Sequence, residues 1–142
     1  GVLFRQRDRQ NYYEFLVSSD GSYRIKQVLE NSSTFLSDWV FTDAIHTEIG
    51  AINRLRVIGY EDRFQFFING EQMMVCVPDD SEAQSTMFSG VCMEGSMQPT
   101  LIDDTIPFGR VGVAVEMDRG QIEDVIVAFD NVIVYGPQPI TE

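Results

Sequence analysis

The sequence predicts an all-β protein, built as an antiparallel β-sandwich. Apolar and polar residues alternate with a period of two along much of the chain, as they do along half-buried strands. Turn-forming residues separate these runs at short intervals, which is typical of strands joined by tight hairpins. No amphipathic pattern of helical length is present, and residues 41–50 allow at most one short helical turn. Many short strands with such turns favour a sandwich.

The alternating runs predict nine strands. In the run at 63–69, Phe64, Phe66 and Ile68 share one face and form part of the predicted core. The run at 124–135 is apolar on both faces, as expected for a central strand. The predicted strands are 2–7, 12–18, 22–29, 34–39, 54–60, 63–69, 71–77, 109–117 and 124–135.

The turns between these strands follow from residue type. Asn69 and Gly70 stand between two alternating runs, and a two-residue type I′ turn requires positive φ at both positions, which Asn and Gly tolerate. This pair therefore predicts a hairpin with a fixed register. The other turns are predicted at 8–11, 19–21 and 61–62.

Residues 78–108 interrupt the pattern of strands. This segment is rich in Asp, Ser, Gly, Pro and Met, and it predicts a long irregular loop. Loops of this length within a domain are uncommon and often functional, although a surface insertion gives the same pattern. The sequence favours one domain over residues 1–136, followed by a tail or linker at 137–142.

Composition excludes some classes of partner. The chain of 142 residues has a net charge of −12, which opposes binding to the phosphate backbone of nucleic acids. No apolar run reaches the ~20 residues that cross a membrane. Cys76 and Cys92 are the only cysteines; a disulfide between them would indicate an oxidising compartment, and two buried free thiols are the alternative.

Several segments resemble a known superfamily. These are "GVLFRQRDRQNYYEFLVSSDGSYRI" at the start, "LSDWV", "NRLRVIGYEDRFQFFINGE", "GRVGVAV" and "VAFDNVIVYG". Together they resemble concanavalin A-like lectin/glucanase domains, in particular bacterial laminin-G-like modules and domains of the 3-keto-disaccharide hydrolase type. The resemblance implies a jelly roll, and it places Trp39 of "LSDWV" in a short segment where we expect a core residue.

The resemblance also implies further strands before Gly1. The first residues already alternate like a strand interior, so we expect the chain to begin inside a domain. A domain without those strands would expose a sheet edge, which a neighbouring chain can complete. This predicts either a partner chain or membership of a larger cell-surface or multiprotein assembly.

A catalytic site is not strongly predicted. Glucanases of this fold resemble one another in a strand motif that directs two carboxylates into a cleft, as glycosidic cleavage requires. Glu116 and Asp118 fit the first half of that motif, but Glu123 falls two residues too late. His46 is the only histidine and does not suggest a nucleophile–base pair. The sequence thus favours a non-enzyme, with a glycosidase as the enzyme alternative.

Two groups of residues suggest metals. Laminin-G-like modules often hold calcium at a loop rim, so the aspartates that flank the long loop predict a calcium site, although solvated carboxylates explain them equally well. These aspartates are Asp79, Asp80, Asp103 and Asp104. Three methionines of the loop, with Cys92, offer soft ligands, but their irregular spacing favours packing.

The outward face of the N-terminal strands is the predicted ligand surface. If Tyr13 and Phe15 point into the core, the alternating neighbours point outward as a polar face with one tyrosine. The predicted binding residues are Arg5, Tyr12, Glu14 and Arg24. An ordinary solvated sheet face gives the same pattern.

From these observations the leading hypothesis is a non-catalytic module that binds carbohydrate or protein. The resemblance and the predicted disulfide place it outside the cell, in a periplasm or on a cell surface. The alternatives are a structural subunit of an assembly, or a sugar hydrolase whose catalytic residues lie outside this sequence.

Overall fold

The computed structural model describes residues 1–117, 120 and 124–136. Strands but no helix occur among these residues. The strands are β1 Val2–Asp8, β2 Asn11–Val17, β3 Ser22–Leu29, β4 Ser32–Phe41, β5 Leu55–Tyr60, β6 Arg63–Ile68, β7 Glu71–Met73, β8 Val75–Pro78, β9 Met87–Phe88, β10 Val91–Cys92, β11 Gly95–Gln98, β12 Leu101–Ile102 and β13 Arg110–Val113.

Two antiparallel sheets pack face to face. The larger sheet has the order β13-β1-β2-β3-β4, and the smaller has the order β12-β6-β5, with β7 also paired to β6. Aromatic rings fill the space between them: the centroids of Phe15 and Phe66 are 5.0 Å apart, and those of Phe4 and Phe64 are 5.1 Å apart. The predicted all-β, antiparallel architecture is confirmed.

The hairpin turns form as their residue types predict. Asn69 and Gly70 have φ of 51° and 87°, the positive values that the turn requires. The Asn69 Oδ1 also accepts a hydrogen bond from the Arg54 backbone N–H at 2.8 Å, which ties the turn to the residue before β5. Glu61 has φ of 52° in the turn that joins β5 and β6.

Register shifts in β1 and β4 interrupt the regular pairing of the larger sheet. Arg5 has φ of 51°, and the register of β1 shifts around it. In β4, Ser37 pairs with Ile25 and Val40 pairs with Tyr23, so two residues of β4 lie opposite the one residue between them on β3. One extra residue reverses the alternation beyond it, but a second register shift lies just before this one in β4, so the two ends of β4 keep the same alternation.

The prediction of an irregular loop over 78–108 is wrong in part. Four short strands, β9 to β12, lie within it, and β11 pairs with β8. The predicted strand at 71–77 is divided between β7 and β8, which pair with different strands. Short pairings of this kind have no clear alternation in the sequence, which is why the pattern does not reveal them.

The predicted disulfide between Cys76 and Cys92 is confirmed. The two Cα atoms are 5.5 Å apart. Cys76 is buried, and its backbone is held by two serines: its N–H donates to Ser37 Oγ at 2.9 Å, and its C=O accepts from Ser85 Oγ at 2.6 Å. The bond therefore anchors the β9–β10 hairpin to the edge of the core.

The C-terminal strands differ from prediction. The strand predicted at 109–117 is shorter, ending at Val113. The strand predicted at 124–135 is not formed: residues 124–136 pair with none of the described strands, and their side chains are exposed. The apolar run has the composition of a strand but lacks a partner here. The predicted tail at 137–142 lies outside the described residues.

Candidate ligand-binding site on the outer face of the larger sheet

A cleft lies on the outer face of the larger sheet, the face turned away from the core. It measures about 350 Å³ and lies near the β2–β3 turn and the end of β4. Hydroxyl, carboxylate, guanidinium and aromatic groups line it together. The lining residues are Ser18, Asp20, Ser22, Arg24, Trp39 and Phe41.

The β2–β3 turn positions an acidic group at the cleft. Asp20 Oδ1 accepts hydrogen bonds from the Ser22 backbone N–H at 3.0 Å and from the Ser22 hydroxyl at 2.5 Å. These bonds, that of the hydroxyl first, lower the pKa of Asp20 below its usual value. Gly21, with φ of 90°, completes the turn, and the Phe41 ring lies 3.3 Å from where a Cβ would project. Asp20 is thus held in a fixed, ionised state beside an aromatic ring.

Arg24 forms the inner wall of the cleft. Its guanidinium carbon lies 4.5 Å from the Trp39 ring centroid and 4.8 Å from that of Phe35. Its Nη2 also forms an ion pair with Glu116 Oε2 at 2.9 Å. The Nε–H is buried and has no hydrogen-bond partner among the described residues.

Trp39 lies on the outer face of β4, the same face as Phe35 four residues earlier, and both rings lie against Arg24. The sequence predicts Trp39 as a core residue, and that prediction is wrong. Its neighbour Val40 takes the core position instead. Trp39 remains half-buried and stacks on Arg24. This arrangement supplies an aromatic surface next to polar groups, which is a feature of small-ligand sites.

A buried ionic cluster lies beside the cleft on the same face. Lys26 Nζ is 2.9 Å from Glu14 Oε2, and it also pairs with Glu116 Oε1. Glu14 is only 2% exposed, although it points away from the core. Its Oε2 is within ion-pair distance of the ammonium but does not form a well-aligned hydrogen bond with any described residue.

Burial and neighbouring charge shift the two carboxyls in opposite directions. Burial, with a smaller contribution from Glu116, raises the pKa of Glu14 despite the proximity of Lys26. For Glu116, burial also acts to raise the pKa, but Lys26 and Arg24 outweigh it and the pKa is lowered. Opposite shifts in adjacent carboxyls occur in acid–base sites and in structural ion-pair clusters.

The four predicted binding residues do not form one group. Arg24 lines the cleft, Glu14 is buried in the ionic cluster, and Tyr12 is half-buried on the same face. Burial, followed by the charge of Glu14, raises the pKa of Tyr12. Arg5 is separate from them, because its bulge turns the side chain towards the smaller sheet.

Arg5 instead links the two sheets. Its Nη2 donates to the Glu61 C=O at 3.0 Å, and its guanidinium carbon lies 5.2 Å from the Phe64 ring centroid. The prediction that it belongs to the outward polar face is therefore wrong.

The predicted calcium site is not formed. Among residues 1–117, 120 and 124–136, no three side chains of His, Cys, Asp or Glu come together in an arrangement that suits a metal. Asp103 has a structural role: its Oδ1 accepts hydrogen bonds from the Tyr13 hydroxyl, from Gln27 Nε2 at 3.1 Å and from the Thr105 N–H at 3.0 Å. Asp80 Oδ1 accepts from the Glu82 N–H at 2.9 Å.

The carboxylates considered for catalysis are only partly described. Glu116 forms part of the ionic cluster, whereas Asp118 and Glu123 lie outside the described residues. The only histidine, His46, contacts the C=O of Ile52 through Nδ1 at 3.1 Å, in an exposed loop.

Comparisons with protein-family models, with curated proteins and with solved structures find no match to this chain. The described residues contain no helix that is long and apolar enough to cross a membrane.

Sequence reasoning misses Asp20 and Phe41 as components of the cleft. Asp20 is predicted as a turn residue, and Phe41 lies beyond the strand predicted at 34–39. The available signal is that Ser22 and Arg24 alternate outward directly after the Asp20-Gly21 turn. That row leads to the cleft, but its aromatic side depends on which residues of β4 lie beside it in the sheet.

Proposed function

We propose that this protein is a non-catalytic lectin-like module that binds a carbohydrate in the cleft of the larger sheet. The observation that carries the proposal is the combination of an exposed aromatic ring, Phe41, with the fixed carboxylate of Asp20. An aromatic surface accommodates the apolar face of a sugar ring, while a few fixed polar groups orient its hydroxyls. The hydrogen bonds from Ser22 both fall on Oδ1 of Asp20, so in this proposal the ionised carboxylate accepts a further hydrogen bond from a ligand.

The resemblance to concanavalin A-like domains supports the same proposal. Two antiparallel sheets with an aromatic core agree with a jelly roll of that type. The disulfide supports a location outside the cytosol, because such bonds persist in oxidising compartments. We therefore place the module in an extracellular, periplasmic or cell-surface setting.

A glycan array followed by calorimetry tests the proposal. We expect the chain to retain a glycan, and Phe41→Ala to weaken its affinity by roughly 10-fold, because an aromatic contact contributes about 0.5–1.5 kcal/mol. Asp20→Asn should also weaken binding, because the charged acceptor is lost.

Tyr60→Ala provides a matched control. Tyr60 and Phe41 are both 70% exposed, but Tyr60 lies on β5 of the smaller sheet. Neither substitution opens the core, so both variants should fold. Retention of no glycan, or equal losses for the two aromatic variants, would contradict the proposal.

A second candidate function is a subunit whose sandwich is completed by a neighbouring chain. A specific observation favours it: the β5 edge of the smaller sheet is unpaired among the described strands, and the apolar residues 124–136 are exposed. Exposed edges of this kind bind additional strands.

A further inference from the structure

The sandwich is open on one side. Among the described strands, β5 pairs only with β6 and β13 pairs only with β1. Both lie on the side where Arg5 of β1 reaches the β5–β6 turn. On the core face of β5, Leu55 and Val57 pair with the fully buried Ile68 and Phe66 but are themselves only half-buried. The β5 edge thus leaves both backbone groups and core-facing side chains without a neighbour.

The same chain carries a strand-like segment that pairs with none of the described strands. Residues 124–130 read DVIVAFD, and their exposure alternates: Val125, Val127 and Phe129 are 38%, 49% and 41% exposed, whereas Ile126 is 92% exposed. Asn131, with φ of 53°, then turns the backbone out of an extended conformation. One face of the segment is apolar up to Asn131, as in a strand that buries one face.

The edge and the segment match in one antiparallel register. If Asp130 lies opposite Arg54, then Phe129 lies opposite Leu55 and Val127 lies opposite Val57. These apolar pairs fall on the core face, and Val125 falls opposite Gly59, whose own side-chain position is covered by the Phe64 ring. On the outer face, Asp130 meets Arg54 and lies diagonal to Arg56, so a carboxylate meets two guanidinium groups.

A shift by one residue removes this match. It would turn Val127 and Phe129 to the outer face and direct Asp130 towards the core, because side chains alternate with a period of two. The charge pattern also favours the first register over the shifted one. The chain has a net charge of −12, yet two of its ten cationic residues, Arg54 and Arg56, lie at this one edge and can pair with Asp130. The register is therefore specified by both apolar pairing and charge.

We propose that residues 124–130 of one copy of this chain add as an antiparallel strand to the β5 edge of a second copy, in a symmetric strand-exchanged dimer. The proposal develops the second candidate function by naming the neighbouring chain. Each copy carries both the β5 edge and the segment 124–130, so a two-fold symmetric dimer pairs both edges at once. Exchange of an identical element is a common route to dimers.

Sedimentation equilibrium of the full chain tests the dimer. We expect a mass of twice 16.1 kDa. Val127→Asp should raise the dissociation constant on the order of 100-fold or more, because it places a charge against Val57 on the core face. Ile126→Asp is the matched control: it adds the same charge to the outer face and should leave the dimer largely intact. The segment pairs with none of the described strands of its own chain, so neither variant is expected to prevent folding.

Cysteine crosslinking tests the register. Arg56 and Ala128 lie directly opposite each other in the proposed pairing. A mixture of Arg56→Cys chains with Ala128→Cys chains should form a heterodimeric disulfide under mild oxidation, whereas Arg56→Cys with Val127→Cys should not.

Three results would overturn the proposal. They are a monomer at all concentrations, equal weakening by the two aspartate variants, and a crosslink that forms within single chains of the Arg56→Cys/Ala128→Cys variant. Glycan binding is measured at the other sheet, so its presence or absence does not affect these outcomes. A monomer that still bound another protein chain at the β5 edge would refute the dimer but retain the second candidate function.

Discussion

The two faces of β2 differ in how they exclude water. Phe15, on the inner face, is fully buried among aromatic rings, with the Phe66 centroid at 5.0 Å. Glu14, the preceding residue on the outer face, is nearly as buried, yet it is surrounded by charges. Adjacent residues of one strand therefore lie in an apolar core and in an ionic cluster of comparable burial.

This comparison shows that the direction in which a side chain points and the extent of its burial have different causes. The alternation of β2 correctly predicts that Tyr13 and Phe15 point inward and that Glu14 points outward. It does not predict that Glu116 forms ion pairs with Arg24 and Lys26 over that outer face. Burial of an outward side chain depends on which other segment covers it, and that is a tertiary property.

The largest effect is expected on the inner face. Phe15→Ala should lower the free energy of unfolding by about 3–5 kcal/mol, because it removes apolar burial and leaves a cavity between the two sheets. Urea unfolding measures the change. Tyr60→Ala, which removes an exposed aromatic side chain, should change the free energy of unfolding by less than about 0.5 kcal/mol. A loss for Phe15→Ala no greater than that of the control would show that the inner face is not the main source of stability.

The second effect concerns the ion pair on the outer face. Lys26→Met should cost about 3 kcal/mol at pH 8, because it leaves the Glu14 carboxylate buried without its cation. At pH 5 the cost should be smaller, since the pKa of Glu14 is already raised by burial and rises further without Lys26. Glu14 then becomes neutral, and the penalty for a buried charge disappears.

The double variant Lys26→Met/Glu14→Leu tests whether charge or packing is responsible. Replacing both members of a buried pair by apolar residues is often neutral, so its stability should return to within about 1 kcal/mol of the parent. Equal losses for the single and double variants, or a loss for Lys26→Met that does not change with pH, would show that the lysine stem contributes through packing alone.

The sequence predicts the framework better than the site. Seven of the nine predicted strands have counterparts of closely similar position or are divided in two, and the turn at Asn69-Gly70 forms with the predicted sign of φ. Local residue type determines these features. The cleft depends instead on the pairing of β3 with β4, which sets Trp39 beside Arg24, and on contacts with Glu116 from a distant segment. The strand predicted at 124–135 is not formed among the described strands. An apolar sequence pattern indicates that a segment can pair as a strand, but it does not show which strand it pairs with.

The smallest effect is expected at the exposed end of the ionic cluster. The Glu116 side chain is 38% exposed, so solvent and salt screen its ion pairs, and Glu116→Gln should cost no more than about 1 kcal/mol at low salt. Its pKa is lowered in the folded state, so this stabilisation is present above the unfolded value of 4.5 and is lost as the pH falls through the folded value. Glu71→Gln on β7, an exposed carboxylate without an ion pair among the described residues, is the matched control.

The same variant should also change its buried neighbour. Glu116 contributes to the raised pKa of Glu14, through a hydrogen bond and through like charge, so Glu116→Gln should move the pKa of Glu14 downward. A carboxyl NMR titration measures this directly in the folded protein. A pKa of Glu14 that stayed unchanged would mean that burial alone raises it and that the two carboxyls titrate independently. The outer face would then be an assembly of separate pairs, whereas a coupled shift would establish it as one ionic unit built across β2, β3 and the segment after β13.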